Sequence, residues 1–88
     1  MTFEEWQATR QRTEDMTDYG CDEGIAGLVY ASGYIMIVPP QDGEPEQYEV
    51  LIENWFDKIT PDLAAAERML WDNWAKNWVD YVDPGRAA

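Results

Sequence analysis

The chain has no histidine, one cysteine and only six basic residues. Without histidine the commonest general base and metal ligand is missing, which excludes Ser-His and Cys-His nucleophiles. Cys21 has no second cysteine to pair with, so no internal disulfide forms, and a reducing cytoplasm is expected. It stands near Asp18, Asp22 and Glu23, acids that blunt the reactivity of a thiol. The single serine, Ser32, lies in an expected hairpin turn and reads as a turn residue. Arg10, Arg12, Lys58, Arg68, Lys76 and Arg86 do not cluster, so direct binding to nucleic acid is not expected. Zinc spacings, phosphate-cradling loops and dinucleotide-binding glycine motifs are missing too. No cofactor is expected. The longest charge-free stretch, 24–41, is too short and too broken by glycine and proline to cross a bilayer. The acidic opening residues lack the apolar run of a secretory signal. A soluble, cytoplasmic, single domain over residues 1–88 is expected.

What is present in excess is acid. Eighteen Asp and Glu against six Lys and Arg leave a net charge of −12 on 88 residues. Five tryptophans, five tyrosines and two phenylalanines nevertheless supply a core, so the charge marks the surface of a folded domain. It is unevenly spread. Residues 1–24 and 39–60 each carry −5, residues 25–38 carry no charge, and the remainder carries −2.

The pattern of apolar residues changes along the chain. Thr2 with Glu5 makes a capping box, and Phe3, Trp6, Thr9 or Arg10, Thr13 and Met16 recur at helical spacing. An N-terminal helix closed near Gly20 is expected. Residues 25–30 and 34–38 are rich in β-branched and aromatic side chains and flank Ala31-Ser32-Gly33, a hairpin central in its sheet or buried on both faces. Tyr48, Val50 and Ile52 alternate with Glu49, Leu51 and Glu53 in a third strand, and 55–58 gives a short fourth. Thr60 as N-cap with Pro61 at the first helical position starts a long C-terminal helix. Its expected buried stripe is Leu63, Ala66, Leu70, Trp74, Trp78 and Tyr81, widened by Met69, Trp71 and Val82, and Asp83-Pro84-Gly85 ends it. The fold expected is α+β in two layers: an N-terminal helix, a three- to four-stranded antiparallel meander, and a long C-terminal helix.

Carboxylate pairs such as Glu14-Asp15 and Asp22-Glu23 arise by chance at this acid content, so no catalytic dyad is assigned and no enzyme is expected. The loop Asp42-Gly43-Glu44-Pro45-Glu46 offers oxygen ligands to a cation but lacks the spacing of an EF-hand. The excess acid exceeds what solubility requires, and points instead to a face held toward a basic partner. Asp42, Glu44, Glu46, Glu49, Glu53 and Asp57, spaced along a sheet edge, are the candidate partner-binding residues. They would imitate the phosphates of a nucleic acid. The alternative is an interaction or immunity-type module that binds through an aromatic patch, with the acid only solubilising. That alternative leaves room for a homodimer seam lined by tryptophan.

The opening Thr2-Phe3-Glu4-Glu5-Trp6, the stretch Tyr30-Ala31-Ser32-Gly33-Tyr34-Ile35 and the helix Asp62-Leu63-Ala64-Ala65-Ala66-Glu67-Arg68-Met69-Leu70-Trp71 resemble small acidic accessory proteins of phages and prophages. The resemblance implies antagonism of host machinery: restriction enzymes, CRISPR effector complexes or transcription enzymes. It transfers no functional residue.

Overall fold

A computed structural model describes residues 1–53 and 56–80, with the side chains of 52, 53, 56 and 57 outside that description. Thr2 accepts from the Glu5 backbone at 3.1 Å and donates its own N–H to the Glu5 carboxylate at 2.8 Å, the expected capping box. The helix it opens, α1, covers only Phe3–Gln7. Thr9 stops it, donating its hydroxyl to the Trp6 carbonyl at 2.6 Å and accepting from the Ala31 N–H at 2.8 Å. The expected continuation to Met16 is replaced by an edge strand, β1 (Gln11–Thr13), paired antiparallel to β2 (Gly27–Val29). A short 3₁₀ turn, Thr17–Tyr19, closes at Gly20.

β2, β3 (Tyr34–Val38), β4 (Gln47–Glu53) and β5 (Phe56–Thr60) then follow in sequence order, giving an antiparallel sheet of five strands β1-β2-β3-β4-β5. The fold is the expected mixed α+β, with more strands than the three or four read from sequence. The uncharged hairpin β2–β3 is central in the sheet. Gly33 turns it with φ +85°, a conformation that side-chain-bearing residues resist. β4 is an interior strand rather than an edge, because β5 lies beyond it. Trp55 and the expected helix end (Tyr81, Val82 and 83–85) lie outside the described residues.

β5 runs to Thr60, whose place opposite Tyr48 commits it to the sheet. The helix therefore begins later than expected, with Asp62 as the N-cap accepting from the Ala65 N–H at 3.2 Å. α2 (Leu63–Leu70) continues through a π-helical turn, Trp71–Ala75, into α3 (Lys76–Trp78). A π turn admits one extra residue into the helical ladder and shifts the buried stripe by one position. After Leu70 the core side is therefore taken by Trp71, Ala75 and Val79. Trp74 and Trp78, expected inside, are each 45% exposed.

One face of the sheet is covered by α1 and α2. Trp6, Leu28, Tyr30, Ile35, Ile37, Val50, Ala66, Leu70 and Ala75 form that core, with Phe3 and Trp71 packed against it. Trp6 stacks on Tyr30 with centroids 4.3 Å apart and meets Trp71 at 5.5 Å. Its indole N–H donates to the Ser32 carbonyl at 2.8 Å, which satisfies the one polar atom this ring brings inside. Behind the sheet, Met16 is fully buried against Gly27, where an added Cβ would lie 2.9 Å from the Ile35 carbonyl oxygen. No described helix is long and apolar enough to cross a membrane.

Candidate partner-binding surface

In an antiparallel meander, alternate connections emerge at the same end of the sheet. The β1–β2 connection brings Glu14, Asp15, Asp18, Asp22 and Glu23 to one end, all exposed. The β3–β4 connection brings Asp42, Glu44 and Glu46 to that same end. Arg12 joins the two groups: its guanidinium lies 3.0 Å from the Glu14 carboxylate and 3.5 Å from that of Glu46. Two segments separated in sequence by β2, the β2–β3 turn and β3 thus share one acidic end.

Local contacts fix several of these carboxylates. Asp15 accepts from the Thr17 N–H at 3.0 Å, and that bond holds its pKa below the ordinary value. Glu46 accepts from the Tyr48 hydroxyl at 3.1 Å. Burial first, then this bond, raise the Tyr48 pKa. The hydrogen bond to Glu14 raises the pKa of Arg12, whose single positive charge stays in place among the acids. Glu44 accepts from the Gln47 amide at 3.2 Å, and its N–H closes a tight turn on the Gln41 carbonyl at 2.8 Å. Gln41, Asp42 and Glu44 line an open depression at this turn.

The six residues singled out from sequence therefore divide. Asp42, Glu44 and Glu46 come together at the acidic end. Glu49 lies mid-strand in β4, opposite Met36 on one side and Ile59 on the other, on the face away from the helices. Glu53 ends β4 at the opposite end of the sheet, and Asp57 occupies a β5 position opposite Leu51; the side chains of both lie outside the described residues. Sequence reasoning missed the contribution of Glu14, Asp15, Asp18, Asp22 and Glu23 to the same surface. The signal for it was the connection length between β1 and β2, which was hidden inside an expected helix.

A second polar constellation is buried. Glu67 is 1% exposed and accepts from the Gln7 amide at 2.8 Å, Arg10 at 3.0 Å and the Tyr30 hydroxyl at 2.7 Å. Burial, followed by the bond to Glu67, drives the Tyr30 pKa far upward. Every one of these donors is directed at the carboxylate. The cluster ties the N-terminal segment to α2. Its sequence signal was a glutamate set inside the apolar stripe Leu63-Ala66-Leu70.

Among the described residues no three carboxylate or thiol groups converge to hold a metal ion. Cys21 is half-buried beside Tyr34, whose pKa is raised by burial and then by the thiol. Compared with known families, curated proteins and solved structures, the chain matches none.

Proposed function

We propose that this protein is a non-enzymatic inhibitor or adaptor that docks its acidic end on a basic, nucleic-acid-binding protein or nucleoprotein complex. Bound there, it competes with the phosphates for the same Lys and Arg side chains. The observation that carries the reading is the convergence of the β1–β2 and β3–β4 connections, where Arg12 pairs with Glu14 and Glu46 and Asp15, Asp42 and Glu44 lie in the same two connections. A concentrated negative field steers a basic partner into contact.

The partner classes to try are those the sequence resemblance suggests: restriction endonucleases, CRISPR effector complexes and RNA polymerases. The reading is tested by titrating the protein into each purified complex and measuring nucleic-acid binding by that complex. Competition should be relieved by excess nucleic acid and weaken steeply with added salt, because the contacts are between charges. Binding that is indifferent to salt, or that proceeds beside bound nucleic acid without displacing it, overturns the competitive reading.

A further inference from the structure

We infer that Arg12 is a positioning residue of the acidic end: it holds the β1–β2 and β3–β4 connections together, so that losing it weakens docking on a basic partner although the chain becomes more acidic. This rests on the docking role proposed above. Arg12 stands in β1 opposite Leu28, on the sheet face that the helices cover. Tyr48 of β4 is on the same face, opposite Ile37, and β2 and β3 lie between the two strands. The guanidinium serves both connections at once. Its Nε is 3.0 Å from Glu14 and its Nη1 is 3.5 Å from Glu46.

Each side of this bridge is moored to the core. Glu46 turns Oε1 to Arg12, while its Oε2 accepts from the Tyr48 hydroxyl at 3.1 Å. Tyr48 is half-buried and packs against the core cluster. On the β1 side, Arg10 stands two residues before Arg12 and pairs at 3.0 Å with Glu67, which is 1% exposed. The strand that carries Arg12 is thus fixed from inside just ahead of it.

What the bridge opposes is repulsion. Glu14 and Asp15 in one connection and Asp42 and Glu44 in the other are exposed charges of one sign. A guanidinium offers its donors in a fixed fork and can take two carboxylates from separate nitrogens, whereas an ammonium is a point charge. Exposed ion pairs add little to global stability, so the loss of Arg12 should be felt in the arrangement of this end and not in unfolding. For Arg12→Gln, charge and arrangement act in opposite directions. Removing one positive charge takes the net charge from −12 to −13, which by itself strengthens attraction to a basic partner. Parting of the two connections weakens it.

Backbone ¹⁵N relaxation of the free full chain, with affinity for the purified complexes named above, tests this. At about 0.01 M salt, Arg12→Gln should lower the order parameters of residues 14–24 and 41–46 from about 0.85, the rigid value, toward about 0.6. The difference from the natural chain should vanish at about 1 M salt, where the screening length is about 3 Å. Arg12→Lys should fall between the two, and the urea midpoint should stay where it was. Affinity of Arg12→Gln at low salt should drop about threefold or more, the scale that one or two such pairs carry. Unchanged order parameters, loosening that is equal at both salts, or tighter binding by Arg12→Gln would each overturn the positioning role and leave the docking role standing. A natural chain that binds none of the complexes, or an Asp42→Lys with Glu44→Lys variant that binds as well as it does, overturns the docking role and the positioning role with it.

Discussion

Tyr30 donates its hydroxyl to Glu67 across 2.7 Å in a site sealed from solvent, joining the end of β2 to the middle of α2. Gln7 and Arg10 complete the set from the N-terminal segment. Three donors on one carboxylate explain how a charged residue occupies the centre of an apolar stripe, and why so short a helix as α1 stays docked. Burying a carboxylate is costly unless each of its lone pairs is used.

Glu67→Ala should therefore destabilise the domain by about 3–5 kcal/mol, because it leaves the Tyr30 hydroxyl buried without an acceptor. Tyr30→Phe, which removes one donor and leaves two, should cost less, about 1–2 kcal/mol. Urea titration of the two variants checks the order; equal losses would show that Glu67 acts through packing alone.

The raised pKa of Tyr30 also sets an alkaline limit. In the folded chain the phenol keeps its proton, whereas in the unfolded chain it loses it near pH 10. Stability is then constant below about pH 10 and falls as the pH rises above it, since the unfolded state binds fewer protons. Tyr34 and Tyr48, raised in the same direction, add to the slope. Absorbance at the phenolate band should show Tyr30 titrating only as the protein unfolds, and Tyr30→Phe should flatten the alkaline decline.

The π turn makes an unequal prediction for the tryptophans. Trp6→Ala removes a fully buried ring and should cost about 3–5 kcal/mol. Trp74→Ala removes a ring that is 45% exposed and should cost about 1 kcal/mol. Thermal unfolding of dilute samples reads both; comparable losses would mean that Trp74 belongs to the core and the stripe is unshifted.

Gly27 leaves room for Met16 and for the neighbouring strand at once. A Cβ there would lie 2.8 Å from Met16 Cγ and 2.9 Å from the Ile35 carbonyl oxygen, and only the first can move aside. Gly27→Ala should destabilise the domain by about 1–3 kcal/mol, measured by denaturant unfolding, and Met16→Ala in the same chain should not restore the loss.

How much of this was legible in the sequence follows from which forces act locally. The hairpin around Gly33, the capping box at Thr2 and the alternation in β4 rest on neighbours in sequence, and all three are present. Gln11, Arg12 and Thr13 carry no strand pattern and follow a helical start, so their pairing with β2 is a tertiary fact. The stripe of α2 was misplaced after Leu70 because Trp74 and Trp78 satisfy a regular helical period as well as Ala75 and Val79 satisfy the shifted one. At the candidate surface, Asp42, Glu44 and Glu46 were found from charge density alone. Their union with Glu14 and Asp15 depends on strand order, which no local pattern encodes.

Charge reversal read against a control decides whether the acidic end is the docking surface. The affinity of each candidate basic complex would be measured for the natural chain, for Asp42→Lys with Glu44→Lys, and for Glu4→Lys with Asp72→Lys, two acids outside that end. The first set should lower affinity at least tenfold in low salt while the second changes it less than threefold. Equal losses from the two sets would mean that net charge alone drives binding, and would contradict a directed acidic end.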